Sequence, residues 1–202
     1  IVSERDFHGE PVYLVVPQHI GCKWTPERLH FRSSVWNADG ELISASFKKF
    51  FNFEEQPDIH PFYDCHVSEA TAVEKLDGST FIVSRYNGHW MFRTRGTIDA
   101  TGMPNGHEVE LFKSRHADFL AAHEHDRLDV SYLFEWTSPE NKIVLDYGKD
   151  PCWTLIAAIN HDDYSLWTQA ELTALAERFN LKTPKRYSFD SVTELLTTIR
   201  AI

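Results

Sequence analysis

The sequence lacks long apolar segments and clustered cysteines. No run approaches the roughly 18 consecutive apolar residues of a membrane-spanning helix, and no cationic stretch followed by an apolar one opens the chain. We therefore expect no membrane partner. The three cysteines, Cys22, Cys65 and Cys152, are too scattered to form a metal-binding pair. They are expected to be ordinary buried thiols of a protein in the reducing cytosol, so the expected localisation is cytoplasmic.

Positive charge is also scarce. The chain has 20 Lys and Arg residues against 30 Asp and Glu residues, which gives a net charge of −10. This balance argues against nucleic-acid binding driven by overall charge, although it does not exclude a local basic groove. With 202 residues, of which 42% are hydrophobic, the chain can bury a substantial core. We treat residues 1–202 as one domain.

The first 160 residues read mainly as strands joined by tight turns. Asn87-Gly88 is the strongest two-residue hairpin signal, and it separates the β-rich runs 80–86 and 89–95. A four-residue loop at 37–40 separates runs 29–36 and 41–47, and a loop at 138–141 separates runs 131–137 and 142–147. Residues 12–16 and 153–159 are further β-rich runs.

Helical patterns lie between and after these strands. Residues 114–127 favour a helix with a polar face. Thr168 and Glu171 form a capping box before a helical stripe, and Ser191 and Glu194 form a second one. The two stripes have apolar residues at positions i, i+3, i+4 and i+7: Leu172, Leu175, Ala176 and Phe179 in the first, and Val192, Leu195, Leu196 and Ile199 in the second. The sequence therefore predicts an α+β fold of antiparallel sheets with flanking helices.

The segment with the clearest chemical signature runs from Glu74 to Ser79 and contains Lys-x-Asp-Gly. This is the nucleophile motif of enzymes that attach a nucleotide to their own lysine, here Lys75. Lysine, aspartate and glycine are also common turn residues, so the alternative is a strand that ends in a turn with a solvated lysine. Arg93 and Arg95 follow on the next hairpin strand. Their spacing of two predicts guanidiniums on one face, which would either bind phosphate or form a solvated face of the sheet.

Several blocks of the chain resemble, in order, the ATP-dependent RNA ligases of the phage tRNA-repair type, the RNA ligase 1 family. The similarity spans roughly residues 31–147. The blocks are Phe31-Arg32 on a strand, Lys48-Lys49-Phe50-Phe51-Asn52, Lys75-Leu-Asp-Gly-Ser79, Phe92-Arg-Thr-Arg-Gly-Thr97, and residues 133–144, which begin Leu-Phe-Glu. The resemblance implies the nucleotidyltransferase fold of a ligase adenylation domain.

The resemblance also implies ATP and Mg²⁺ as cofactors, AMP as a covalent lysyl adduct, and RNA ends, tRNA among them, as partners. It implies joining of a 3′-hydroxyl to a 5′-phosphate. No protein metal ligand is assigned, and the oligomeric state stays open. The implied roles are AMP attachment for Lys75, ribose binding for Glu135, triphosphate contacts for Arg32, Lys49 and Arg95, close backbone approach to the nucleotide for Gly78, and pocket shape for Phe51.

The chain departs from the family pattern at several points. Ser33 stands where the family prefers glycine, and Arg93 and Arg95 replace lysines, which keeps the charge but not the geometry. The family's later Glu-Gly and Lys-x-Lys blocks do not appear before Ile202. We therefore expect a fragment of a longer ligase that folds but does not ligate by itself.

Two other functions remain open. Without the later blocks, the chain would be a nucleotide-binding or RNA-binding module derived from the ligase fold. A capping enzyme or DNA ligase is less favoured because the blocks around Lys49 and Asn141 match RNA ligases. The cluster of His116, His123, His125, Glu124 and Asp126 is expected to be a polar helix surface and not a metal site, because His123 and His125 would diverge on a helix.

Overall fold

The computed structural model describes residues 1–18, 22–52, 55, 71–125, 127–191, 193–194 and 197–198. The chain divides into two compact units: Ile1–Lys49 with Asp77–Thr183, and Phe50–Leu76 with Pro184–Ile202. Each is described by itself, and the expectation of one domain over residues 1–202 stays a prediction.

The strands of the described residues are β1 (Val2–Phe7), β2 (Glu10–Val15), β3 (Ser34–Asn37), β4 (Leu42–Ala45), β5 (Thr71–Val73), β6 (Ser79–Tyr86), β7 (His89–Arg93), β8 (Val130–Thr137), β9 (Cys152–Asn160) and β10 (Arg186–Ser188). The α-helices are α1 (Glu108–Arg115), α2 (Ala117–Ala122) and α3 (Gln169–Phe179), with 3-10 helices at Pro26–Arg32 and Pro139–Asn141. The predicted α+β class with antiparallel sheets is confirmed.

The first unit contains two four-stranded antiparallel sheets, ordered β1-β2-β3-β4 and β7-β6-β8-β9. The predicted hairpin at Asn87-Gly88 is confirmed. Asn87 has φ 47° and Gly88 has φ 75°, the positive values that a two-residue turn between twisted strands requires. The hairpin predicted at residues 37–40 is also confirmed, since β3 pairs with β4 across it.

The second of these sheets is buried on both faces, which explains why Phe81-Ile82-Val83 of β6 and Tyr132-Leu133-Phe134 of β8 do not alternate with polar residues. Ile82 and Leu133 pack with residues of β4 on one face. Phe81 and Phe134 pack toward the helices on the other, in a cluster that includes Leu172 of α3. Alternation along each strand sends neighbouring residues into different layers, so the first unit has sheet, sheet and helix layers.

Helix α3 begins as the sequence predicts. Thr168 and Glu171 form a capping box, and Leu172 and Leu175 are buried. At the second capping box, Ser191 Oγ accepts a hydrogen bond from the Glu194 N–H at 3.1 Å. The stripe of Val192, Leu195, Leu196 and Ile199 lies outside the described residues.

The single helix predicted for residues 114–127 is wrong in its bounds. The structure has α1 and α2 there, separated by His116, whose φ of −117° and ψ of 32° end the first helix. Helix α1 also begins earlier, at Glu108, a buried carboxylate that accepts a hydrogen bond from the Trp136 indole at 2.6 Å. The sequence did not predict that the helix begins at Glu108, because a buried glutamate cannot be distinguished from an exposed one by its residue type.

The strand predicted for residues 142–147 is also wrong. Strand β8 is flanked by β6 and β9, so neither of its edges is open to a hairpin partner. Val144 and Leu145 instead donate their backbone N–H groups to Asp77 Oδ2, at 2.7 and 3.1 Å. Their side chains are exposed despite the apolar sequence.

The second unit contains a small antiparallel sheet of β5 and β10. Its pairing continues one residue past β5, where the Glu74 N–H donates to the Lys185 carbonyl at 2.9 Å. Lys75 is the next residue, and its side chain is exposed. Separately, no helix of the described residues is long and apolar enough to cross a membrane.

Candidate active site

A cavity of about 830 Å³ in the first unit collects four of the seven residues that the sequence singles out. Arg32, Lys49, Gly78 and Arg95 all line it, and the volume is within the range of small-molecule sites. Its other described lining residues are Val16, Pro17, Gln18, Cys22, Trp24, Ser79, Thr80, Thr94, Gly96 and Met103. A separate cavity of about 570 Å³ near His8 and His89 contains none of the seven.

Arg32 and Lys49 reach the cavity from a short 3-10 helix and the segment after β4. The expectation that Phe31-Arg32 lies on a strand is wrong: Arg32 ends the 3-10 helix Pro26–Arg32, and β3 begins two residues later. Pro26 favours this helix because its fixed φ suits a first helical turn. The Lys49 N–H donates to the Leu29 carbonyl at 2.7 Å, which holds Lys49 beside the same helix.

The two arginines of the next block have different environments, so their predicted common face is wrong. Strand β7 ends at Arg93, whose side chain is fully buried, whereas Arg95 lies beyond the strand end and is exposed at the cavity. The strict alternation of a strand applies only while the strand lasts.

The electrostatics of the cavity suit an anion. Burial lowers the pKa of Arg32, and the nearby positive charge of Arg95 lowers it further. The repulsion between two positive charges held close together is relieved when a multiply charged anion binds between them. No Asp or Glu is among the described lining residues, so the lining itself presents no carboxylate to repel a phosphate.

Gly78 lies where a larger residue would collide with the neighbouring strand. A Cβ at Gly78 would overlap the Trp136 carbonyl oxygen and approach Thr137 Cγ2 to 2.9 Å. The Gly78 N–H donates to Glu135 Oε1 at 2.9 Å, which brings the partly buried Glu135 next to the cavity wall. The structure thus gives Gly78 a packing reason for being glycine, and its predicted approach to a nucleotide stays a prediction.

Lys75 and Phe51 belong to the second unit, whereas Asp77 and Gly78 of the same motif belong to the first. Asp77 accepts the two backbone N–H groups of residues 144 and 145, and its own N–H donates to the Tyr147 hydroxyl at 2.8 Å. The aspartate of the motif therefore holds the segment that replaces the expected strand. The roles of Lys75 and Phe51 stay predictions.

The described lining residues do not form a site for Mg²⁺. That ion prefers carboxylate and water oxygens, and the lining offers guanidinium, amine and hydroxyl groups instead. Elsewhere, His107, Glu108 and Glu140 have ligand atoms within 4.8 Å of one another. Glu108 is already bound to the Trp136 indole, and His107 pairs with Glu140 at 3.6 Å, so local contacts explain that group.

The histidines near residue 120 also have local partners. His123 Nδ1 is 2.7 Å from the Phe119 carbonyl oxygen, and burial lowers the pKa of His123 as it does that of His116. Asp126 lies outside the described residues. Both histidines pack against aromatic rings, a role that the polar surroundings in sequence did not suggest.

Sequence reasoning missed several cavity residues. Trp24 and Met103 line it without belonging to any motif that predicts a site, and Thr94 lines it although the sequence gave no role to that position of the Phe92–Thr97 block. Cys22 lines it too and is exposed, which corrects the expectation of a buried thiol, whereas Cys152 is partly buried. Cys65 lies outside the described residues. Trp24, five positions before the Leu-His-Phe-Arg run that starts at Leu29, gave no usable signal on its own.

The fold is shared with solved ATP-dependent ligases. A protein of Aquifex aeolicus named as an ATP-dependent DNA ligase matches with a TM-score of 0.63 and 15% identity, over 99% of this chain and 51% of that one. An archaeal ATP-dependent RNA ligase matches with a TM-score of 0.61 and 16% identity, over 99% and 52%. These likenesses establish the fold of the ligase nucleotidyltransferase domain.

The family is established by sequence. The RNA ligase family matches residues 31–202, and the chain belongs to that family. A curated relative from Autographa californica nuclear polyhedrosis virus, described as a bifunctional polynucleotide kinase/RNA ligase, is 29% identical over 76% of this chain and 23% of its own length. An RNA ligase of Rhodothermus phage RM378 is 28% identical over 64% of this chain and 37% of its own length. The chain thus spans well under half the length of either relative.

Proposed function

We propose that this chain is the adenylate-forming part of an ATP-dependent RNA ligase, with Lys75 as the residue that accepts AMP. The observation that carries the proposal is the cavity in which Arg32, Lys49 and Arg95 meet Gly78 of the Lys-x-Asp-Gly motif. A site lined by three cations and no described carboxylate suits a triphosphate. Lys75 stands three residues before Gly78, a tether that spans at most about 10 Å.

The first step is nucleotide transfer to the lysine. The Lys75 amine, once it has lost its proton, attacks the α-phosphorus of MgATP. A P–N bond forms, the P–O bond to the β-phosphate breaks, and pyrophosphate leaves with the electron pair. Arg32, Lys49 and Arg95 stabilise the charge that develops on pyrophosphate, because fixed cations act on the transition state without reorganisation. The described lining offers no carboxylate for Mg²⁺, so the ion would be held by the phosphates of ATP.

The later steps use the RNA ends. An oxygen of the RNA 5′-phosphate attacks the adenylate phosphorus, and the P–N bond breaks to release the lysine. The RNA 3′-hydroxyl then attacks the activated 5′-phosphorus, loses its proton, and displaces AMP. Glu135 is assigned to the ribose hydroxyls, since one carboxylate can accept two hydrogen bonds from a diol. Phe51 is assigned to the nucleotide pocket. The finer proposals are tRNA among the RNA substrates and a cytoplasmic location.

The test is self-labelling of the protein expressed from its complete reading frame. With α-labelled ATP and Mg²⁺, we expect a protein label that is acid-labile and alkali-stable, as a phosphoramidate is. Lys75→Met should abolish the label, and Lys149→Met, a change at an exposed lysine outside the cavity, should leave it. Nucleotide binding without any label would instead favour the binding-module alternative, and labelling that survives in Lys75→Met would refute the assignment of Lys75.

A further inference from the structure

Arg93 is a fully buried cation without a carboxylate partner among the described residues. Its Nε donates to Ser44 Oγ at 2.7 Å, its Nη1 to Ser33 Oγ at 2.8 Å, and its Nη2 to the Ser44 carbonyl at 3.2 Å. Weaker bonds reach the carbonyls of Thr94 and Ser33. Every one of these acceptors is neutral, so the guanidinium satisfies its donors while its charge stays uncompensated.

An arrangement of this kind is costly to fold. Burial lowers the pKa of Arg93 to about 10, so the side chain still carries its charge at neutral pH. A buried charge that is not neutralised by an opposite one opposes folding, even when it is hydrogen-bonded. An apolar residue of similar volume would avoid that cost. The presence of Arg93 at this position therefore indicates a function that needs both the charge and the planar fork of a guanidinium.

The contacts of Arg93 converge on the backbone that carries the two cavity arginines. Ser33 directly follows Arg32, and its Oγ, which accepts from Arg93, donates onward to the Arg95 carbonyl at 2.8 Å. Thr94, whose carbonyl also accepts from Arg93, directly precedes Arg95. Arg93 is thus bonded to the residues next to both Arg32 and Arg95, in addition to strand β4 through Ser44.

We propose that Arg93 is a positioning residue that holds the backbones of Arg32 and Arg95 so that both guanidiniums receive one polyphosphate. The inference rests on the proposed function of the cavity. Burial lowers the pKa of Arg32, and the positive charge of Arg95 lowers it further, so the two guanidiniums repel each other and need a rigid support to stay together. A bound triphosphate would offset this repulsion.

The experiment measures binding of inorganic tripolyphosphate by calorimetry, which needs no catalytic step. Arg93→Met fills much of the same space without the charge or the fork. We expect its dissociation constant to rise about 10- to 100-fold, because the loss of one or two charge-assisted contacts to the phosphates is of that size. Arg93→Lys keeps a charge but cannot bridge Ser33 and Ser44 with a planar fork, so it should remain well below wild-type affinity. Full recovery in Arg93→Lys would contradict a positioning role.

A matched control is available in the paired strand. Arg85 is also a buried arginine, but it contacts the His125 carbonyl and Glu124, and it does not line the cavity. Arg85→Met should lower thermal stability while leaving tripolyphosphate affinity within about twofold, as expected for a site without shared partners. An equal loss of affinity in Arg85→Met would show that general destabilisation is the cause, and would overturn the proposal.

Ser33→Ala provides a milder test if Arg93→Met does not fold. It removes the hydroxyl that links Arg93 to the Arg95 carbonyl, and we expect tripolyphosphate to bind about tenfold more weakly. If Ser33→Ala binds like wild type, the proposed linkage is wrong. Failure of the wild-type protein to bind tripolyphosphate would overturn the proposed function of the cavity itself, whereas unchanged binding in the variants would overturn only the role of Arg93.

Discussion

Gly78→Ala tests the packing beneath the candidate site. The added Cβ would overlap the Trp136 carbonyl oxygen, a backbone atom of strand β8 that cannot rotate away. Gly78 does not have a positive φ, so crowding is the only penalty. Overpacking of this kind costs about 1–3 kcal/mol. For a chain of this size, that predicts a melting temperature lower by about 3–10 °C.

The matched control is Gly102→Ala. Gly102 is exposed, has no heavy atom within 4 Å of a built Cβ, and does not have a positive φ. There the substitution should be neutral or slightly stabilising, because alanine restricts the unfolded chain. The assay is thermal unfolding of both variants, with urea unfolding as a second measure. Equal melting temperatures for Gly78→Ala and Gly102→Ala would refute the close approach of Gly78 to β8.

Two further predictions concern Glu135 and His161. Glu135→Ala should weaken use of ATP about tenfold more than use of 2′-deoxy-ATP in labelling assays, because the lost carboxylate would serve the ribose hydroxyls; equal losses with both nucleotides would refute that role. Burial lowers the pKa of His161 to about 3, so the folded state favours its neutral form. Its contribution to stability is complete above about pH 6.5 and is lost as pH falls toward 3, by about 1.4 kcal/mol per pH unit. Urea unfolding of His161→Gln should therefore show a shallower loss below pH 6 than wild type, and parallel curves would contradict the burial of a neutral imidazole.

Local signals in the sequence predicted much of the fold. Asn87-Gly88 specifies its hairpin because both residues tolerate positive φ, and the Thr168–Glu171 box specifies the start of α3 through its own hydrogen bonds. The apolar run at residues 142–147 led to a wrong strand prediction, because a segment can join a sheet as a strand only where a sheet edge is free. Both edges of β8 are occupied, which no local pattern can show.

The sequence predicted those residues of the candidate site that lie within recognisable motifs. The blocks that contain Arg32, Lys49, Gly78 and Arg95 gave four residues of one cavity. The burial of Arg93 could not be predicted from the sequence. Its spacing of two residues from Arg95 predicts that both side chains lie on the same face of a strand. Its burial depends on Ser33 and Ser44, which come from distant segments.

The proposed function depends most directly on covalent adenylation of Lys75. The most direct measurement is mass spectrometry of the peptide that contains Lys75, after incubation of the protein from its complete reading frame with MgATP and quenching at alkaline pH. We expect an AMP adduct on Lys75 that disappears on acid treatment and that added pyrophosphate removes by reversing the reaction to ATP. An adduct on another residue, or an unmodified Lys75 in protein that has bound ATP, would contradict it.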